Sequence, residues 1–147
     1  MFETMTPLAQ ALVIIGGSKV LGVAGSDTLA VVQLVRGGLP TATAQFVVDS
    51  GRLTLVEINH LVLPGKTLTI QSRRGSLTSS QSDRLLRIAR IIAMAEETFG
   101  GRELAATWLR RATTALAGER PLYLLDTDEG ARAVETLLGR IAHGIAA

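Results

Sequence analysis

The amino-acid sequence predicts an all-α fold, and three observations predict it. Aromatic residues make up only 3% of a chain that is 47% apolar, so the core must be aliphatic, a composition that with many arginines favours helices. Glycine and proline punctuate the chain at helix-sized intervals. The longest uninterrupted pattern, SSQSDRLLRIARIIAMAEETFGG, spaces its apolar residues three and four apart, and no segment shows sustained strand alternation. Only TLTI, at 67–70, is ambiguous. With 147 residues there is room for one medium domain or two small ones, each with a core.

Taken in order, PLAQALVIIGGSKVLGV is preceded by Glu3, where a secretory leader has a basic region, and is broken by Gln10, paired glycines and Lys19. A spanning helix needs about 20 mostly apolar residues, so a short packing helix stopped by Gly16 and Gly17 is expected. Ser26 and Asp27 can cap a helix through TLAVVQLV, which Gly37 and Gly38 end, and Pro40 sits where the next begins. After the stop at DSG, Thr54 and Glu57 have capping-box spacing, and Pro64 with Gly65 breaks the helix they open. KTLTIQSRR follows, up to Gly75.

The strongest helix places Leu85, Ile88, Ile92, Ala95 and Phe99 on one face, widened by Leu86, Ile91 and Met94. Ser79 or Ser80 is expected to cap it, and Gly100 and Gly101 to end it. ELAATWLRRATTAL reads as another helix, carrying the only indole, Trp108. Gly118 and Pro121 interrupt, LYLL looks like a short apolar turn, and Asp126 with Glu129 offers a second capping box for a last helix from Thr127 to about His143.

The chemistry these residues exclude is informative. With no cysteine there is no disulfide framework, thiolate metal site or cysteine nucleophile, which is compatible with a reducing compartment. Histidine occurs only at His60 and His143, and no cluster has metal-ligand spacing. GGSK at 16–19 lacks the spacing of a phosphate loop. Glu96 and Glu97 are adjacent, and adjacent helical positions do not face each other. An enzyme is therefore not expected.

A net charge of +2 is too small to decide a partner, so its distribution matters. Leu53 to Gly75 reads as two short helices joined by a turn. Lys66, Arg73 and Arg74 occur there, and no acidic residue lies between Glu57 and Asp83. Thr67, Thr69, Gln71 and Ser72 add hydrogen-bonding groups. In a helix-turn-helix the second helix enters the major groove while basic groups meet phosphates, so Lys66, Thr67, Gln71, Arg73 and Arg74 are the candidate DNA contacts. A solvated helix end has the same composition.

The last helix has an apolar stripe of Ala131, Val134, Leu138 and Ile141. Arg132, Thr136, Gly139 and His143 lie within roughly 60° of one another on another face, at about 100° per residue, flanked by Arg140. Helical glycine costs about 1 kcal/mol relative to alanine, so Gly139 is suited to close approach by another surface. The alternative is a solvated face with positive residues near the helix C-terminus, where the dipole favours them.

From SSQSDRLLRIARI through AEETFGG, WL, the Gly118-x-x-Pro121-Leu122 segment and LLDTDEG to LLGRIAHG, the chain resembles the toxin-binding domain of the Xre/MbcA/ParS-type antitoxins. LVRGGLPTATAQFVVDSGRLTLVEINHLVLPGKTLTIQSRR resembles their Xre-like helix-turn-helix portion more loosely. Ala112 and Thr113 replace the family's usual Pro-Asn, Ala117 a second glycine and Tyr123 an acidic residue. The resemblance implies an N-terminal extension at 1–22, a helix-turn-helix-like domain at 23–78 and a C-terminal toxin-binding domain at 79–147. It further implies a cytoplasmic, homodimeric, cofactor-free antitoxin that blocks the NAD site of a RES-domain toxin and represses its own operon on operator DNA. Arg132, Thr136, Gly139, Arg140, His143 and Gly144 would then face the toxin, and the terminal tail would lie in or beside its pocket. Trp108 suits either an interface or a core. The competing reading is a stand-alone helix-turn-helix regulator whose C-terminal helices only dimerise.

Overall fold

Side-chain caps set most helix starts in this chain. The computed structural model describes residues 5–17, 20 and 27–144, and divides into two units, Met1–Arg90 and Ile91–Ala147. In the first unit, α1 (Pro7–Ile14) opens with Pro7, and the Thr6 hydroxyl accepts from the Ala9 amide at 3.1 Å. It buries Leu8, Ala11, Leu12 and Ile14, with Ile15 behind them. Gly16 ends it at a φ of +81°, and a Cβ there would lie 2.8 Å from the Phe46 ring. The expected stop is in place.

The next helix, α2 (Thr28–Gly37), is capped by Asp27, whose carboxylate accepts from Leu29 and Ala30 at 3.1 and 3.2 Å. Ser26 lies outside the described residues. α3 (Thr41–Asp49) follows Pro40 directly. α4 (Leu55–Leu61) carries the expected capping box: Glu57 N–H donates to the Thr54 hydroxyl at 3.1 Å, and Thr54 N–H to the Glu57 carboxylate at 2.9 Å. α5 (Leu68–Gln71) runs on as a 3-10 turn, Ser72–Arg74. Helices α3, α4 and α5 pack on one another around Ala44, Val47, Ile58, Leu61 and Leu68. Asn59 fixes the α4–α5 turn, because its side-chain oxygen accepts the Leu68 amide at 2.8 Å.

Two short extended segments tie this unit together. Leu77 N–H donates to Leu39 O at 2.8 Å and Thr41 N–H to Gly75 O at 3.1 Å, with an antiparallel bridge between Pro40 and Ser76. The buried Leu39 amide donates to the Ser82 hydroxyl at 2.8 Å, which itself donates to Thr78 O at 2.8 Å. A Cβ at Gly38 would sit 2.1 Å from the Leu77 carbonyl oxygen, so this crossing requires glycine.

The longest helix, α6 (Ser79–Phe99), contains the boundary between the units. Its cap is Thr78, one residue before the expected serines. The Thr78 hydroxyl accepts from Gln81 N–H at 3.1 Å and the Gln81 side chain from Thr78 N–H at 2.9 Å. Gln81 stands three residues after Thr78, which completes a reciprocal pair that neither serine can form. Leu85, Ile88, Ile92 and Ala95 are buried as expected, and so are Leu86 and Ile91. Gly100, at a φ of +74°, and the Gly101 amide, bonded to Glu96 O at 3.1 Å, close the helix.

In the second unit, α7 (Arg102–Leu109) ends well before the Leu116 expected from its pattern. Thr113 N–H donates to Glu119 O at 3.1 Å, and this bridge folds the intervening residues into a knuckle with a 3-10 turn at Thr114–Leu116. Two consecutive β-branched threonines and Gly118 are poor helix formers, so the bridge wins. Ala117 occupies the left-handed region at a φ of +57°, at the position where the family usually has glycine. Pro121–Asp126 forms a 3-10 turn, the apolar turn expected at LYLL.

The last helix, α8 (Asp128–Ala142), is capped by Thr127, whose hydroxyl accepts from Gly130 N–H at 3.0 Å. The expected Asp126–Glu129 box does not open it, because Asp126 belongs to the preceding turn and extended Thr127 is the residue adjoining the helix. Ala131, Val134, Leu137 and Leu138 pack with Leu122 and Leu125 to form the core. Ile141, expected in the stripe, is only half-buried, and Leu137 takes its place. Trp108 is 6% exposed and meets the Phe99 ring at 5.3 Å, so the indole is a core residue. Among the described residues there is no β-strand, and no helix is long and apolar enough to cross a membrane.

Two glycines of α8 separate packing from openness. A Cβ at Gly130 would lie 1.8 Å from the Leu124 carbonyl oxygen, whereas one at Gly139 would meet nothing within 4 Å. Gly130→Ala is expected to destabilise the second unit by about 3 kcal/mol and Gly139→Ala to stabilise it by about 1 kcal/mol, read from urea unfolding followed by Trp108 fluorescence. Equal effects of the two would refute this placement. Ala117→Gly relieves a left-handed alanine, and the same assay should show a gain of about 0.5–1 kcal/mol.

Candidate functional site

The basic segment of the first unit has an inner and an outer side. Leu68 and Gln71 point inward, three residues apart on the short helix. Gln71, expected as a DNA contact, is 2% exposed: its amide donates to Ser76 O at 3.1 Å, and its oxygen accepts from the Gln81 amide at 3.4 Å. Its polar groups are committed to the interior, so it is a structural residue. Lys66, Thr67, Arg73 and Arg74 are exposed, as are Thr69 and Ser72. The Thr67 hydroxyl caps α5 by accepting from Ile70 N–H at 3.3 Å.

An acid near this segment, on the packed helix α3, is Asp49, which lines a shallow depression with Ser72 and accepts from the Gln45 amide at 2.8 Å. Glu57 is buried in its capping box, and Asp83 is paired with Arg87 at 3.4 Å. One residue escaped the sequence reading. Ile70 is 58% exposed beside the basic groups. Its signal in the sequence is an aliphatic side chain out of step with the Leu68–Gln71 spacing, masked by the strand-like alternation of TLTI.

On α8 the predicted polar face is present. Arg132, Thr136, Arg140 and His143 are exposed, Gly139 is half-buried, and exposed Gly144 follows at a φ of +71°. Arg132 Nε donates to Asp128 Oδ2 at 3.0 Å, in an ion pair whose side chains are 70% and 63% exposed. The hydrogen bond to Asp128, and secondarily its charge, raise the Arg132 pKa. An exposed pair of this kind holds its arginine weakly. His143 caps the helix, its amide donating to Gly139 O at 3.1 Å. Residues 145–147, the expected plug, lie outside the described residues.

Near this helix, the Arg120 guanidinium lies over the Tyr123 ring at 5.5 Å, where the family's usual residue is acidic. The tyrosine offers the guanidinium a cation–π partner. Among the described residues, no group of three or more His, Cys, Asp or Glu residues could hold a metal ion.

Comparison with known proteins places both segments. The antitoxin Xre-like helix-turn-helix domain matches residues 30–90, and the antitoxin Xre/MbcA/ParS C-terminal toxin-binding domain matches residues 94–144. The chain is similar to an Antitoxin Xre of Pseudomonas putida, 39% identical over 97 residues, covering 65% of this chain and 60% of the relative. An Antitoxin Xre of Photorhabdus laumondii is 39% identical over 75 residues, covering 50% and 51%. A Prs ADP-ribosylating antitoxin of a Sphingobium species is 33% identical over 91 residues, covering 54% and 57%. The matches thus span between half and three-fifths of these relatives' lengths. With the helix-turn-helix domain followed by the toxin-binding domain, the chain belongs to the Xre/MbcA/ParS antitoxin family.

Proposed function

We propose that this chain is the antitoxin of a RES-domain toxin, an enzyme that consumes or transfers ADP-ribose from NAD. It binds that toxin through the outer face of α8 and blocks the NAD site, and its helix-turn-helix unit represses the operon as a cytoplasmic homodimer. No cofactor and no catalysis of its own enter this reading. The observation that carries it is the outer face of α8: Arg132, Thr136, Gly139, Arg140 and His143 face away from the core on the matched toxin-binding domain. The name of the Sphingobium relative, an ADP-ribosylating antitoxin, supports ADP-ribosyl chemistry in the partner.

The geometry suits an inhibitor of an anion-binding pocket. Arg140 has no ion-pair partner among the described residues, and the exposed Asp128 pair leaves Arg132 free to change partners. Open space over Gly139 lets another backbone approach the helix closely. An exposed arginine exchanged onto a partner's carboxylate or phosphate forms short, charge-assisted bonds.

Two assays test the two halves of this proposal. The double variant Arg140→Glu/His143→Ala should keep wild-type helicity by circular dichroism. It should lose co-purification with the co-expressed toxin and fail to restore cellular NAD. Full protection by this folded variant would refute inhibition through α8. For the other half, anisotropy on the chain's own promoter should give an affinity that falls with salt. Arg74→Ala should flatten the log–log slope by about one unit, as loss of one phosphate contact does. Affinity independent of salt and sequence would remove autorepression.

A further inference from the structure

We infer that α5 reads thymine methyl groups through Ile70, with Thr69 beside it at the base edges, while Lys66, Arg73 and Arg74 hold phosphates. This rests on the operator-binding reading above and names what that site selects. In a helix-turn-helix the first residues of the second helix meet the base edges. Here those residues are Leu68, Thr69 and Ile70, and Leu68 is turned into the core at 1% exposure.

The choice of base follows from which groups remain on the outer side. Adenine is read by a bidentate Asn or Gln; the one such amide on α5, Gln71, is committed to Ser76 and Gln81, and Asn59 of α4 accepts the Leu68 amide. The Thr67 hydroxyl already caps the helix. What remains at the leading edge is one hydroxyl and one branched aliphatic side chain, 58% exposed. In the major groove an aliphatic group has one favourable partner, the 5-methyl of thymine.

A second apolar protein surface is the competing occupant, since Val56 on α4 is also exposed, at 74%. The charge argues against it. Ile70 is set among Lys66, Arg73 and Arg74 with no acidic residue between Glu57 and Asp83, and a second copy of the segment would bring like charges together. A polyanion complements that surface.

The test replaces thymine by deoxyuridine, which removes the methyl group and keeps the base pair. The full chain is titrated against its own promoter duplex, with each thymine of the protected half-site replaced in turn. Burying one such carbon is worth about 0.8 kcal/mol, or about fourfold in affinity. Wild type should lose about fourfold at one or two positions. Ile70→Ala should bind more weakly by a similar factor and be indifferent to the replacement there, with Ile70→Val intermediate and helicity unchanged in both.

Three results would overturn the inference while leaving operator binding intact. Selective wild-type binding indifferent to every replacement is one, and thymine discrimination retained by Ile70→Ala is another. The third is weaker DNA binding by Ile70→Ala that tracks dissociation of a dimer in analytical ultracentrifugation, which would make Ile70 a protein contact. Absence of any selective, salt-sensitive binding would remove operator binding and this inference together.

Discussion

The first unit depends on one buried hydroxyl. The Leu39 amide lies in the interior, where an unpaired N–H costs about 1–3 kcal/mol, and Ser82 satisfies it. Because that hydroxyl also donates to Thr78, its single proton and a lone pair are both used and its direction is fixed. The consequence is topological. The loop between α2 and α3 is held to the first turn of α6, and the segment leaving α5 is paired with the same loop. Glycine at position 38 is the steric condition for the crossing, since the Leu77 carbonyl occupies the space of any side chain. Three stretches distant in sequence thus share a few hydrogen bonds, none of which follows from hydrophobic patterning.

That arrangement decides what the basic segment can offer. Gln71 reaches inward to Ser76 and Gln81, next to the Thr78 cap of α6. With Leu68 and Gln71 both turned inward, Thr69, Ile70 and Arg73 must project outward. The second unit follows the same logic with different atoms. Gly130 lets the first turn of α8 lie against the Leu124 carbonyl, and burial of Leu137 and Leu138 sets the helix rotation. Thr136, Gly139 and Arg140 are outside because those neighbours are inside.

Much of this was legible in the sequence where one local rule acted alone. The Thr54–Glu57 box, the Asp27 cap, the glycine stops and the buried face from Leu85 to Ala95 all follow from spacing within a turn or two of helix. The misses occur where two local rules competed or a distant partner intervened. Ser79 and Ser80 are good caps by type, but only Thr78 has a glutamine three residues on. The α7 pattern continues past Leu109, yet Thr113 finds Glu119 across the knuckle. Gln71 has the residue type of a base reader, and its burial depends on Gln81, ten residues away in another helix. The polar face of α8 was visible from periodicity. The docking reading of that face rests on the family's ordered motifs, because a solvated helix end and a docking face have the same periodicity.

Gly139 is the position at which those two readings differ physically. A solvated helix position is more stable with alanine than with glycine, and here a methyl group would meet nothing within 4 Å. Nothing in the described fold therefore requires glycine there, unlike at Gly130, where the Leu124 carbonyl demands it. The missing side chain exposes the helix backbone between Thr136 and His143, residues that lie above and below it on the same face. In the proposed complex, a partner seated at that gap would come closer to the axis than it could over alanine, with the exposed Arg140 and His143 beside it. The helix forgoes intrinsic stability at this position, and in the proposed complex the toxin surface would recover it. The proposed docking of a partner on α8 would give this glycine a role that packing within the described fold does not.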